Sequence, residues 1–205
     1  MALKIGVLGF QGDLEEHIAA TKIALKKSAV NGEVEIVKRP EQIEQIDSLI
    51  ISGGESTVMG GLALYNGTLK AIRERISKGM PTLGTCAGLI LLSNRTYDRV
   101  VGEKQQPLLG VLDATVERNA FGRQKESFET NLNIPVIGEA PFKGIFIRSP
   151  LIKETGSEVK VLSKLKNAAV AVQQGNVIGT CFHPELTEDT RIHDYFLSLT
   201  REDLS

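Results

Sequence analysis

Three short apolar runs, at residues 4–8, 48–51 and 80–83, each end on a turn of small residues, and this constrains the fold of the 205-residue sequence more than any other feature. The turns read Gly9-Phe10-Gln11-Gly12, Ser52-Gly53-Gly54-Glu55 and Gly84-Thr85-Cys86-Ala87-Gly88. A run that is apolar throughout is what a strand buried on both faces requires. Between the runs, helical spacing covers residues 14–27, with Leu14, Ile18, Ala19, Ile23 and Leu25 as its apolar positions, and residues 69–78, which Gly79 ends. Residues 33–37 read as a further strand, and 87–93 open a helix. This β-α-β-α order predicts an α/β fold: a mostly parallel central sheet with helices on both faces. Such a sheet binds ligands at the carboxyl ends of its strands, where all three turns fall.

From about residue 108 the pattern changes. Short strand-like pieces at 112–116, 127–132, 144–147, 159–162 and 168–173 predict mixed or antiparallel additions in the second half. A helix over 187–198 and a polar tail over about 200–205 close the chain. No repeat, low-complexity tract or long linker interrupts it, so one domain over residues 1–205 is expected.

Charge is balanced, with 24 basic and 25 acidic residues, which argues against nucleic acid or an anionic membrane surface as partner. The start of the chain reads as a strand rather than a signal peptide, and no apolar run approaches the roughly 20 residues of a membrane span. Two cysteines in apolar surroundings fit a reducing compartment, so a cytoplasmic location is expected.

The third turn carries the chemistry. A cysteine framed by Gly84 and Gly88 between a strand and a helix has the form of a nucleophile elbow, with helix N–H groups available to an anion. Downstream, the apolar stretch 177–182 runs into His183-Pro184-Glu185. Residues two apart on an extended segment share a side, so His183 and Glu185 act together, and with Cys86 they outline a Cys-His-Glu triad. The backbone N–H groups of Gly54 and Ala87 are the candidate oxyanion donors. Cys181 lacks a glycine frame and is expected in the core. His17, among glutamates and lysines, is expected at the surface, and His193 in the final helix. The histidines and cysteines show no metal-ligand spacing, so no metal is expected, and no cofactor.

With these motifs in hand, the chain resembles class I, triad-type glutamine amidotransferases and, among them, the glutaminase subunits of pyridoxal 5′-phosphate synthase. The narrower resemblance rests on residues 9–13 (Gly-Phe-Gln-Gly-Asp), 53–57, 84–88, 116–124 (with Arg118-Asn119-Ala120-Phe121-Gly122-Arg123-Gln124), 146–150 and 183–185. It implies a class I amidotransferase-like (flavodoxin-like) form of the sheet and hydrolysis of L-glutamine to glutamate and ammonia through a thioester on Cys86. It also implies glutamine binding by Gly53, Gly54, Glu55, Arg118, Ile147 and Arg148, with Glu55 suited to the substrate's ammonium and an arginine to its α-carboxylate. The implied partner is a separate synthase subunit, a (β/α)₈ barrel in a heteromeric complex, and Gln11 is the implied activation switch. Ser52 and Ser149 depart from the proline and alanine usual at those places in the family. The rival readings are a glutaminase serving another pathway, such as histidine biosynthesis, a non-catalytic binding protein, and a thiol peptidase or redox protein.

Overall fold

The computed structural model describes residues 2–98, 102–103, 105–118, 120 and 127–203. Along the chain the strands are β1 (Leu3–Leu8), β2 (Gly32–Val37), β3 (Ser48–Ile51), β4 (Thr82–Thr85), β5 (Ser93–Asp98), β6 (Gly102–Glu103), β7 (Leu112–Arg118), β8 (Phe128–Leu132), β9 (Phe142–Phe146), β10 (Leu151–Thr155), β11 (Lys160–Leu165), β12 (Ala168–Gln174) and β13 (Val177–Thr180). The helices are α1 (Leu14–Lys27), α2 (Pro40–Ile43), α3 (Ser56–Tyr65), α4 (Thr68–Ser77), α5 (Ala87–Leu92) and α6 (Arg191–Asp203).

Among the described residues, one sheet runs β2-β1-β3-β4-β13-β12-β10-β7-β5-β6, with β11 pairing β12, while β8 and β9 form a separate hairpin. The pairs from β2 through β13 are parallel, and β3 (Ser-Leu-Ile-Ile) and β4 (Thr-Leu-Gly-Thr) are buried at every position, as central parallel strands are. Beyond β13 the pairing turns antiparallel through β12, β10 and β7. The second half therefore extends the sheet, as expected.

β1 leads to β2 on one side and the chain returns to β3 on the other, so the topological switch lies between β1 and β3. Right-handed crossovers then put α1 on one face and α3 and α4 on the opposite one. α1 packs against α6, and α3 against α4 and α5. The core is aliphatic, with Ile5, Val7, Leu49, Ile50, Ile51 and Leu83 fully buried.

Several boundaries differ from expectation, each for a local reason. α1 spans the expected residues, but its buried stripe is His17, Ala20, Thr21, Ala24 and Leu25, while Ile23 is exposed. The strand expected at 80–83 begins at Thr82, after Pro81, which cannot donate to a ladder. The last helix begins at Arg191 rather than 187, because the Asp189 carboxylate accepts the Arg191 N–H at 3.1 Å and so starts the helix there. It continues to Asp203, through part of the stretch expected as a tail. Helix α3 has no forecast, since Gly60 and Gly61 mask it: each glycine costs a helix about 1 kcal/mol relative to alanine. No helix among the described residues is long and apolar enough to cross a membrane.

Candidate active site

The carboxyl ends of β1, β3, β4 and β13 meet at one edge, next to the topological switch. Cys86 follows β4 and immediately precedes α5. Its backbone is held at φ +50° and ψ −103°, a region a non-glycine residue enters only under constraint. The constraint is close packing: a Cβ on Gly88 would collide with the Ile51 carbonyl oxygen, so the first turn of α5 lies directly against β3. Cys86 is 8% exposed, and its Sγ donates a long contact to the Ile147 carbonyl at 4.0 Å.

β13 delivers His183, and the turn Pro184–Leu186 folds Glu185 back against it. Glu185 Oε1 stands 2.7 Å from His183 Nδ1, and Asp13 Oδ2 approaches the same nitrogen at 3.4 Å. Burial opposes charge on the imidazole, but hydrogen bonding with Asp13, Cys86 and Glu185, which favours the protonated ring, outweighs it and pushes the His183 pKa up to about 12. The hydrogen bond to His183 and the nearby Arg148 charge hold Asp13 below the usual carboxylate range, against its partial burial. Burial pushes the Glu185 carboxyl up, opposed by the imidazolium beside it. With Nδ1 facing two carboxylates, Nε2 is left for the thiol. Gly53 makes room for the ring, since a Cβ there would stand 2.8 Å from His183 Cε1.

Among the described residues, Asp13, His183 and Glu185 are the one group whose ligand atoms lie close enough together, within 4.8 Å, to surround an ion. An Nδ1 that donates its hydrogen to these carboxylates has no lone pair for a metal. The set therefore works as an ion-paired imidazole.

The turn after β3 is tied to the turn after β1. Gln11 Oε1 accepts the Glu55 N–H at 3.0 Å, one residue beyond Gly54, which sits at φ +130°. Ser52 Oγ donates to the Gln11 carbonyl at 2.8 Å, a bond that proline has no hydroxyl to make. Ala87, the other candidate oxyanion donor, opens α5 directly after Cys86. Ser149 is buried with its hydroxyl unpartnered.

Glu55 and Arg118 face each other and form an ion pair. Arg118 also donates to Thr57 Oγ1 at 2.9 Å and to Gln106 Oε1 at 3.0 Å, and the second carboxylate oxygen of Glu55 caps α3 by accepting the Val58 N–H at 2.9 Å. Burial pushes Glu55 up, but these backbone donors, Thr57 and Arg118 together bring it below its ordinary value. Ile147 is half-buried above Cys86. Arg148 is exposed at φ +47°. Asn119 and residues 121–124 of the 116–124 segment lie outside the described residues.

Two residues enter this site that the sequence reading passed over. Asp13 lies beside His183, as above. His17, expected at the surface, is fully buried: its Nε2 lies 3.4 Å from Glu185 Oε2 and 3.1 Å from Thr85 Oγ1, and its Nδ1 lies 3.2 Å from His193 Nε2. The signal that finds it is the helical stripe His17-Thr21-Ala24, spaced i, i+4, i+7, which competes with the more hydrophobic Ile18-Ala19-Ile23 set. His193 lies in α6, as expected, and Cys181 is buried in the core, where desolvation pushes its thiol pKa far up.

Residues 7–202 match the model of the SNO glutamine amidotransferase family. The chain is 46% identical, over 98% of both lengths, to the pyridoxal 5′-phosphate synthase subunit PdxT of Nitrosopumilus maritimus. It is 51% identical to the subunit of the same name from Pyrococcus furiosus, over 95% of this chain and 98% of that one. A crystal structure of a glutamine amidotransferase superimposes with a TM-score of 0.84 at 45% identity, covering 96% of this chain and 98% of the other. PurLQS from Thermotoga maritima, at 15% identity and a TM-score of 0.64, shares the fold.

Proposed function

The chain belongs to the SNO glutamine amidotransferase family, and from that we propose that it is the glutaminase subunit of a pyridoxal 5′-phosphate synthase, with Cys86, His183 and Glu185 as its triad. The observation that carries the assignment of residues is the pairing of His183 Nδ1 with Glu185 Oε1 at 2.7 Å, which leaves Nε2 free for the thiol of Cys86.

Glutamine binds with its side-chain amide at Cys86. Its α-ammonium takes the place of Arg118 on Glu55, and its α-carboxylate takes the place of Glu55 on Arg118, with the strand-end segment at Ile147 and Arg148 closing the other side. Cys86 Sγ, its proton passed to His183, attacks the amide carbon. Charge builds on the carbonyl oxygen, which the N–H groups of Gly54 and Ala87 receive; a donor of this kind lowers the barrier by about 3 kcal/mol. The C–N bond breaks, His183 gives its proton to the departing nitrogen, and ammonia leaves a glutamyl thioester on Cys86. Water then attacks the thioester with His183 as base, releasing glutamate and restoring the thiol. Glu185 keeps the imidazole oriented and stabilises its charged form throughout.

The ammonia is used by a separate synthase subunit. We assign a (β/α)₈ barrel to that partner, and the relatives' description as a synthase subunit supports a division of the reaction between two chains. We assign the activation switch to Gln11; its side chain accepts the Glu55 N–H at 3.0 Å, next to Gly54, which supports that reading. The whole chain, residues 1–205, acts as one glutaminase domain in the cytoplasm, whose reducing conditions keep Cys86 and Cys181 as free thiols.

The test is ammonia release from L-glutamine with and without the synthase subunit, with pyridoxal phosphate followed in the same sample. Hydrolysis that rises on mixing, with the cofactor appearing, is the expected result. Hydrolysis without cofactor moves the chain to another pathway, and no hydrolysis in either condition defeats the assignment.

A further inference from the structure

His17 is a buried titratable group for which the thioester chemistry has no use, yet it touches the last member of the triad. Glu185 spends Oε1 on His183. Its Oε2 is also buried, makes no conventional hydrogen bond, and faces His17 Nε2 at 3.4 Å. An ionised carboxylate only accepts, so a bare imidazole nitrogen turned toward Oε2 would set lone pair against lone pair. The ring proton of His17 therefore belongs on Nε2, between Glu185 and Thr85.

The rest of the cluster agrees. Desolvation holds His17 well below its ordinary pKa and His193 at about 4, so each ring is neutral and carries a single N–H. With its proton on Nε2, His17 has a bare Nδ1, which accepts from His193 Nε2 at 3.2 Å. That leaves His193 Nδ1 bare, and it is the histidine nitrogen found buried without a partner. The opposite arrangement would bury an unreceived N–H on His193 and aim a lone pair at Glu185.

Resting on the glutaminase reading, we propose that His17 is a positioning residue of the triad: its Nε2–H steadies Glu185 Oε2 so that Oε1 stays on His183, and His193 selects the His17 tautomer able to do so. The line of contacts then runs His183–Glu185–His17–His193, from the proposed base to the final helix. His17 never meets glutamine, so its loss slows turnover without weakening substrate binding.

The experiment compares the full chain, wild type, His17→Leu and His17→Gln, each assayed with the synthase subunit present. In parallel, the low-field proton resonance of the His183–Glu185 hydrogen bond is recorded on the chain alone. A group acting through geometry is expected to cost His17→Leu roughly ten- to hundredfold in kcat, with KM for glutamine within about twofold of wild type. The low-field resonance should shift or vanish in the same variant. His17→Gln, which keeps an N–H donor, should recover both readouts. The proposal is overturned if folded His17→Leu keeps its kcat and its resonance, or if folded His17→Gln loses as much as His17→Leu. Should the leucine variant not fold, the glutamine variant decides alone: a retained resonance supports the role and a lost one ends it. A wild type without glutaminase activity would defeat the functional reading instead, while the resonance would still report on His17.

Discussion

At Cys86, the proposed nucleophile, the backbone is bent to φ +50° and ψ −103°, outside the regions open to an unconstrained side chain, and its proposed role depends on that bend. Cys86→Ala should therefore abolish ammonia release, by at least about 10³-fold, while leaving the thermal midpoint near that of wild type; residual turnover near the wild-type rate would remove Cys86 from the mechanism. Arg118 sets a different problem. Its guanidinium is held by Glu55, Thr57 and Gln106, so in the proposed binding mode glutamine exchanges into an existing network. Losing a charged hydrogen-bond partner for the α-carboxylate costs about 2 kcal/mol, so Arg118→Ala should raise KM for glutamine about 30-fold with kcat little changed. Steady-state kinetics at saturating synthase subunit measure this, and an unchanged KM places the carboxylate elsewhere. Cys86, His183 and Glu185, the proposed triad, stand out in Gly-Thr-Cys-Ala-Gly and His-Pro-Glu because each lies in a short motif with its own local geometry. His17 does not, because its partners are 68, 168 and 176 residues away and its neighbours Glu15, Glu16 and Lys22 suggest solvent.

At the scale of elements, legibility follows burial. β1, β3 and α1 were readable because the two strands are apolar apart from Lys4 and Ser48, and because Leu14, Ile18, Ala19, Ile23 and Leu25 recur at helical spacing along α1. β5, Ser-Asn-Arg-Thr-Tyr-Asp, was not: it pairs with β6 and β7 near the sheet margin, and pairing partners far along the chain, rather than its own side chains, make it a strand. β10, at Leu151–Thr155, is half-exposed and hidden for the same reason. The elbow depends on the contact between α5 and β3. Gly88→Ala drives a methyl group into the Ile51 carbonyl, and both elements are too buried to separate freely. Overpacking of this kind costs about 1–3 kcal/mol, so denaturant unfolding of Gly88→Ala should show an earlier midpoint with an unchanged slope. Glutaminase activity should fall further than stability, since the displaced backbone is the one that carries Cys86.

For the whole molecule, the buried histidines give stability a dependence on pH whose two sides have different owners. His17 and His193 are held neutral by desolvation, so the unfolded chain takes up their protons first. Their contribution is complete above the ordinary value near 6.5 and is lost as pH falls toward the folded value, about 4 for His193. At pH 5 the His193 share alone amounts to about 2 kcal/mol, and His17 adds to it in the same direction. His183 has the opposite sign. Its folded pKa of about 12 means that its contribution is complete below 6.5 and declines as pH rises through the alkaline range. His193→Gln keeps an N–H for His17 but cannot titrate, so the difference in unfolding free energy between pH 7.5 and pH 5 should be smaller in this variant than in wild type. His183→Gln should change the alkaline side instead, with its deficit against wild type narrowing from pH 7 to pH 10. Equilibrium denaturation across this range tests both, and an acid limb identical in wild type and His193→Gln would mean that His193 is not buried in its neutral form. The acid limb also reaches the active site, because the proton that destabilises the fold at His17 or His193 enters the same cluster that faces Glu185.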